Sequence, residues 1–569
     1  MAGLGLAGAA LIGCGDDDEA AAPAAPAAKA APAATTKAAA PAAKATEAAV
    51  AAGAPVSGGT FMTTDVPSFG YQHVDPAAAI WTARFTGPTH SQLVLQDTSS
   101  DDQADWKVNP EAITSWETPD DTTYVFHLAE NLMFHNIQPA FGRQATSEDV
   151  KFSLDRISTK EPQFFRQHEF ADMTVETPDD YTVVLKFAKP QAPFWNRITT
   201  YGTCILPTEM AETEGTLLTG GDPFSGTGPF IHDIWEIGEQ FRVVKNPDYF
   251  KPGLPYLDAI DGVTLTNRDT QWVQFVAKNV DTLRRITTRD YVVAARETEG
   301  ATVHTRVKMN SMWIVFHTEH PPFGDQRVRY AMSLATPRQE IVDVGHRGED
   351  FGLMLGPGGL NPWVHGEVAT YSYDELKTRP GYRAKSVDVK ADRAEARKLL
   401  EAAGVTDYEG TLGYTNQLSG WPSANTVAVL MQDAFRTIGM NNKLDGYPYS
   451  DTLVNLANQD FDTYWTAQHA NGVDYNEYLE FYFSVEGARN YGQWRNATFN
   501  ELMAKQNLET DSQERAETVR EIVELLELEC PRAPTDVYRN SDVWWNYLHN
   551  HYMAMDGSVV PWDSIWKDA

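Results

Sequence analysis

Cysteine is scarce: Cys14, Cys204 and Cys530 are the only three in 569 residues. Three cannot build a disulfide framework, and no two stand as C-x-x-C, so redox and thiolate-metal chemistry find no motif. Cys204 and Cys530 lie among apolar neighbours and read as buried free thiols, with a pairing between them left open. Positive charge is in deficit too. With 46 Lys and Arg against 78 Asp and Glu, the formal net charge is −32. That leaves no basic excess to neutralise nucleic-acid phosphates or to hold an anionic membrane surface. No apolar run approaches the roughly 18 residues that a bilayer span needs. Catalytic signatures are missing as well, with no G-x-S-x-G, H-E-x-x-H or G-x-x-x-x-G-K-[ST]. His549 and His551 would share one face of a strand, but no acid or cysteine stands near them, so no metal site is read there. Gly3-x-Gly5-x-x-Gly8 matches a dinucleotide fingerprint by letter, yet no strand precedes it. A carbohydrate hydrolase would need two carboxylates across a cleft, and no pair stands out. The expectation is a protein that is not an enzyme and carries no cofactor.

What is present is an ordinary globular composition, 42% hydrophobic and 22% charged, on a chain too long for one core. Leu4 to Ile12 is a short run of apolar and small residues, the length of a signal-peptide core. It ends in Leu11-Ile12-Gly13-Cys14, which resembles the lipobox of bacterial lipoproteins and implies acyl chains on Cys14. Two or more chains at roughly 0.8 kcal/mol per buried CH₂ would hold a stable anchor. From Ala20 to about Pro55 the chain is Ala, Pro, Lys and Thr without apolar periodicity, a composition that cannot form a core. Extended at ~3.1 Å per residue, it would reach on the order of 110 Å, a tether between a membrane and a folded body. Residues 1–14 are therefore read as signal peptide and 15–57 as tether.

The body opens with a strand at Gly58 to Met62, then alternates. Tyr124, Phe126 and Leu128 mark a one-sided strand, and Tyr181 to Phe187 marks another. Thr146 or Ser147 caps a helix with acids in its first turn. Gly226-Thr227-Gly228-Pro229 reads as a turn, since glycine takes positive φ freely. Phe230 to Trp235, Gln240 to Lys245 and a third strand entered at Tyr256 to Ile260 follow. After Trp313 the pattern changes to strand–helix alternation. Helices span Asp325 to Ala335, Ala391 to Ala403 (capped by Asp392), Ser423 to Ile438 and Glu514 to Leu528. Strands span Trp313 to Phe316, Thr411 to Thr415, Asn441 to Leu444 and Asp460 to Trp465. Such alternation implies an α/β lobe with a largely parallel sheet, whose ligands sit beyond the carboxyl ends of the strands. Asn416 and Trp421 stand there.

The ordered strings GTGPF, NPDYF and PYLDAI within Gly226 to Ile260 resemble the bacterial extracellular solute-binding proteins of family 5. These are the dipeptide-, oligopeptide- and nickel-binding components of ATP-binding-cassette (ABC) importers. Other stretches are similar to the same family. Trp116 to Asn136 matches its W-x-x-x-D-x-x-x-Y-x-F-x-L-R-x-G-x-x-F-H segment, departing at Ala129 and Asn131. Thr146 to Leu154 matches T-A-E-D-V-x-F-S-L, Ile205-Leu206-Pro207 matches I-L-P, and Pro321 to Ala331 matches P-P-F-x-D-x-R-V-R-x-A. Asp460 onward resembles F-D-x-x-x-x-x-W-x-x-D-Y-x-D-P, of which Asp474-Tyr475 fits the D-Y, while the proline is absent.

The resemblance implies a mixed α/β, two-lobed periplasmic-binding-protein type II fold, with a ligand cleft between the lobes and two crossing segments as hinge. Lobe I would be 58–305 with a return at 536–569, and lobe II 306–535. It also implies site residues. Tyr71 and His73 lie in the loop facing the cleft, and an acid at Asp474, beside Tyr475, would hold a ligand's amino group, so that Asp474→Ala would weaken a cationic ligand and leave the fold intact. Trp363 and Trp465 are candidate apolar or cation–π walls, with core as the alternative for each. The function implied is a monomeric, lipid-anchored binding protein outside the cytoplasmic membrane, delivering a peptide or similar small polar solute to an ABC permease. A tethered receptor presenting its ligand to a sensor would use the same fold and cleft.

Overall fold

The computed structural model describes residues 54–64, 86–97, 107–158, 167–200, 202–212, 224–236, 238–287, 289–417, 424–469, 473–485, 487, 489–551 and 560–568. Cys14, the Ala/Pro-rich segment, Tyr71, His73 and Trp421 lie outside them.

One eleven-stranded sheet runs through the molecule, and two long strands hold it together. Along one path its order is Met440–Pro448, Tyr408–Gln417, Thr463–His469, Ala301–Phe316, Arg532–Trp545, Thr282–Ile286, Thr60–Thr63, Ala259–Val263, Gln240–Lys245 and Phe230–Glu236, with Gly352–Met354 added beside Arg532–Trp545. The strands Ala301–Phe316 and Arg532–Trp545 pair antiparallel along almost their whole length. Their register breaks between Val307 and Ser311, opposite the step from Arg539 to Val537. The break divides the ladder into 301–307 with 539–545 and 311–316 with 532–537. Such a break disrupts the pairing and bends the strands locally. These two strands are the segments that cross between the halves of the sheet.

The first lobe is mostly antiparallel, as expected, with one exception: Thr60–Thr63 pairs parallel with both Ala259–Val263 and Thr282–Ile286. Beside it stands a separate four-stranded antiparallel sheet of Ile113–Asp120, Thr123–Leu128, Thr182–Phe187 and Met173–Asp179. Tyr124, Phe126 and Leu128 face inward from alternate positions of one strand and meet Val150 and Leu154 of the helix Ser147–Ser158 and Phe194 and Ile198 of the helix Phe194–Thr199. Thr146 accepts the Asp149 N–H through its carbonyl, while the Asp149 carboxylate takes the Thr146 N–H, a reciprocal start to that helix.

The second lobe is parallel at three strands, with Tyr408–Gln417 between Met440–Pro448 and Thr463–His469. It turns antiparallel where Thr463–His469 meets Ala301–Phe316. The expectation of a largely parallel sheet holds for those three strands, because the hinge strands run out and back and so cannot both follow them. Helices Gln326–Ala335 and Ala424–Arg436 cover one core with Met312, Ile314 and Trp465. Helix Ser512–Glu529 lays Ala516, Val519, Val523 and Leu526 over a second core with Trp313 and Tyr478.

Two local expectations change, at Asp392 and at the glycines of 226–228, while that for the cysteines holds. Asp392 caps nothing: the helix runs Ser386–Ala402, and Asp392 is buried within it, taking the Gly381 N–H and the Arg383 guanidinium. Its charge is met by the preceding loop, so the helix continues past it. Cys204 and Cys530 form no disulfide with each other and lie buried in different cores. Gly226 and Gly228 do not take positive φ. They are glycine because a Cβ would stand 2.0 Å from the Thr89 oxygen at Gly226 and 2.4 Å from the Thr89 carbonyl carbon at Gly228. His135 closes this contact, accepting the Gly226 N–H at Nδ1 (3.2 Å) and meeting the Gly228 carbonyl at Nε2 (3.0 Å). Burial pushes its pKa down to about 4, so the ring stays neutral and Nε2–H is the donor.

Candidate functional site

The parallel strands of the second lobe end together. Thr415 Oγ1 lies 3.0 Å from Thr466 Oγ1 and 3.1 Å from Thr452 Oγ1, which lies 3.0 Å from the Tyr464 hydroxyl. That hydroxyl ladder fixes the ends of Tyr408–Gln417 and Thr463–His469. One residue past Thr415, Asn416 Oδ1 is buried without a hydrogen-bond partner, and so is Gln468 Oε1 two residues past Thr466. Gln468 stands opposite Ser311 in register, at the hinge break. Across the neighbouring strand, Asn540 Oδ1 is likewise buried and unpartnered, opposite Arg306. Buried polar atoms are nearly always satisfied, so these three amide oxygens are candidates to receive donors from a ligand or ordered water. Asn416 is a candidate from the sequence as well; Gln468 falls in the stretch after Trp465 read there as loop and lies in a strand, and Asn540 carries no sequence signal.

A second group assembles where residues 361–365 meet 474–475. Asn361 caps the helix Pro362–Ala369, its Oδ1 accepting the Val364 N–H at 3.1 Å, with proline at the first helical position. His365 packs against Tyr475 with ring centroids 5.8 Å apart, and the Tyr475 hydroxyl donates to the His365 carbonyl at 3.5 Å. Trp363 is partly buried against that core and lies 5.3 Å from the Tyr373 ring. Asp474 is buried, and Arg515 donates to both its oxygens, Nη1 to Oδ2 at 2.6 Å and Nη2 to Oδ1 at 2.8 Å. Burial disfavours the charged carboxylate, but the Arg515 charge and its hydrogen bonds outweigh that and hold the pKa below the usual Asp value. Asp474 is thus part of the lobe's framework whatever it offers a ligand, so the expectation that Asp474→Ala leaves the fold intact is set aside. Trp465 has 0% exposure and donates its indole N–H to Thr535 Oγ1 at 3.2 Å. It lies in the core and forms no wall.

The framework reaches the other lobe. Arg515 Nε donates to Gln506, Gln506 to Asn476, and Asn476 to Glu480 Oε2 at 2.9 Å. Glu480 Oε2 also receives Arg197 Nη2 at 3.1 Å, from the helix Phe194–Thr199 of the first lobe. Beside it the Ala192 N–H donates to the Asn507 carbonyl at 3.1 Å. This polar bridge joins helices rooted in two different cores.

Among the described residues, no group of three or more His, Cys, Asp and Glu side chains is placed to hold a metal ion. His549 pairs with Asp568 at 2.8 Å, while His551 is buried against Phe61 and Trp544. No described helix is long and apolar enough to cross a membrane.

A model of bacterial extracellular solute-binding proteins, family 5 Middle, matches residues 107–490. Di/tripeptide-binding protein 1 of Pseudomonas aeruginosa strain UCBPP-PA14 is 23% identical over 461 residues, 75% of this chain and 80% of that protein. Among solved structures, the chain resembles the ABC transporter-associated periplasmic binding protein DppA from Helicobacter pylori in complex with peptide STSA. The TM-score is 0.73 at 20% identity, over 90% of this chain and 99% of that one. The PBP AgaA of A. tumefaciens R10, in complex with agropinic acid, gives 0.72 at 20% identity over 90% and 99%. Similar frames therefore hold chemically different solutes, and the frame does not select the cargo.

Proposed function

We propose a function on the premise that this chain belongs to the bacterial extracellular solute-binding proteins of family 5: it is the capturing component of an ABC importer, and its solute is a peptide or similar small polar molecule. Residues 58–305 with 536–569 form lobe I and residues 306–535 form lobe II. The solute contacts both lobes, favours the closed arrangement by its differential affinity, and is handed to the transmembrane permease in that form. The protein acts as a monomer outside the cytoplasmic membrane, held by acyl chains on Cys14. What supports the reading, beyond family membership, is the set of unpartnered buried amide oxygens of Asn416, Gln468 and Asn540. A peptide supplies N–H donors for such oxygens.

Mass spectrometry of solute carried through purification, followed by a thermal-shift screen of di- and tetrapeptides, amino acids, oligosaccharides and metal chelates, tests it. A bound solute raises the apparent stability as RT ln(1 + [L]/Kd). Stabilisation by peptides supports the reading. A response to sugars or chelates with none to peptides overturns the choice of cargo, and turnover of a glycoside overturns transport altogether. The anchor is tested separately: Cys14→Ser should move the protein from the membrane to the soluble fraction.

A further inference from the structure

Beside the Asp474–Arg515 pair, two neighbouring side chains present donors and no acceptor. Asn361 Oδ1 is fixed by the Val364 N–H at 3.1 Å, which sets the amide's orientation and leaves Nδ2 as a donor. The Asn361 backbone N–H meets His365 Nδ1 at 3.1 Å. The Asn361 carbonyl lies 3.2 Å from the same nitrogen, but it already accepts the His365 and Val364 N–H groups, whereas the Asn361 N–H can only donate; Nδ1 is therefore assigned as the accepting nitrogen and the ring proton to Nε2. Burial holds this imidazole neutral, with its pKa pushed down to about 4. Asn361 is 2% exposed and His365 6% exposed, yet Asn361 Nδ2 and His365 Nε2 have no hydrogen-bond partner.

Nothing nearby supplies the acceptor. The Asp474 oxygens are taken by Arg515 and the Asn476 N–H. The Tyr475 hydroxyl faces the His365 carbonyl as a donor. Two bare donors within one helical turn, in a buried place, require an incoming acceptor.

We propose that Asn361 and His365 form a subsite that receives an acceptor oxygen of the bound solute, the carbonyl or carboxylate of a peptide. The peptide part rests on the function proposed above. The donor geometry does not.

The test starts with the unaltered protein. Its His365 side-chain ¹⁵N resonances, assigned by comparison with His365→Phe, are followed on adding Met-Leu, Ser-Thr-Ser-Ala, acetate or acetamide. The peptides are then titrated against Asn361→Asp at pH 8, which keeps a capping oxygen and replaces the donor with an acceptor. Movement of the Nε2 signal by a peptide, with a loss of affinity of about tenfold or more in Asn361→Asp, supports the subsite. Peptides that bind without moving the signal and with affinity unchanged overturn it, assigning the donors to buried water and leaving the peptide reading intact. Movement with acetate or acetamide when neither peptide binds keeps the subsite and removes the peptide. No movement with any probe overturns the proposal.

Discussion

Arg515 holds Asp474 through two parallel N–H···O contacts of 2.6 and 2.8 Å, with both side chains nearly shut off from solvent. The carboxylate that family resemblance assigns to a ligand's amino group therefore already has a cationic partner of its own. Asp474→Asn leaves that guanidinium buried without a counter-charge, and the expected loss is about 3–5 kcal/mol of unfolding free energy at pH 7, measured by urea denaturation. The acid limb gives the sign. The folded-state pKa lies below the ordinary Asp value, so the contribution is present above about pH 4 and is lost as pH falls through the folded value. Wild type and Asp474→Asn should converge in stability at the acid end.

Glu111 behaves oppositely. It is buried and accepts the Gln92 N–H at 2.8 Å, and burial pushes its pKa up to about 7, with the Lys251 charge opposing. A raised folded pKa stabilises fully below the unfolded value of about 4.3 and loses that contribution as pH rises through 7. Glu111→Gln keeps the acceptor and removes the charge. It should be more stable than wild type at pH 8, by about 1–3 kcal/mol, and near wild type at pH 4.5, read from urea midpoints at the two values.

The Arg197–Glu480 bridge joins two helices of different cores, and under the closing mechanism proposed above it weights the arrangement in which they face each other. Arg197→Ala should lower solute affinity roughly three- to tenfold, about 1 kcal/mol, mainly through faster release. Stopped-flow association and dissociation rates separate this from damage to the site itself, which would also alter binding when the lobes are cross-linked shut.

Gly226→Ala would drive a methyl group into the Thr89 carbonyl. The expected cost is about 3 kcal/mol or more. Gly238→Ala is the control, because nothing lies within 4 Å of its Cβ and only its φ of +77° opposes substitution. That change should cost about 1 kcal/mol. Differential scanning calorimetry of the pair distinguishes close approach from backbone strain.

Much of the frame was readable from side-chain period. Val328, Ala331, Met332 and Ala335 announce a helix face, and Asp325 does cap it, accepting the Arg327 N–H. The GTGPF and F-H strings carried the family resemblance without revealing why they accompany each other. Residues 134–135 and 226–228 are far apart in sequence, and only the fold joins His135 to the two glycines. The site was less legible for the same reason. Asn361 and His365 look like an ordinary cap and an ordinary histidine until their hydrogen bonds are counted. Arg515 looks like one charge on an amphipathic helix, and no periodicity connects it to Asp474. Trp465, promising as an aromatic wall, faces inward because its strand is covered by helices on that side. Partnership between distant residues, which decides whether a polar group is free, leaves no trace in local pattern.

The ladder shared by Ala301–Phe316 and Arg532–Trp545 carries its own consequence for how this chain can change. Both strands place alternate residues on opposite faces, so adding or deleting a single residue in either would turn every subsequent side chain to the wrong face of the sheet. Met312, Ile314 and Phe316 would exchange faces with Trp313 and Val315, and three cores would be disturbed at once. Substitutions can accumulate along these strands, but length cannot. Insertions and deletions are expected to fall in the loops, where no ladder register is at stake.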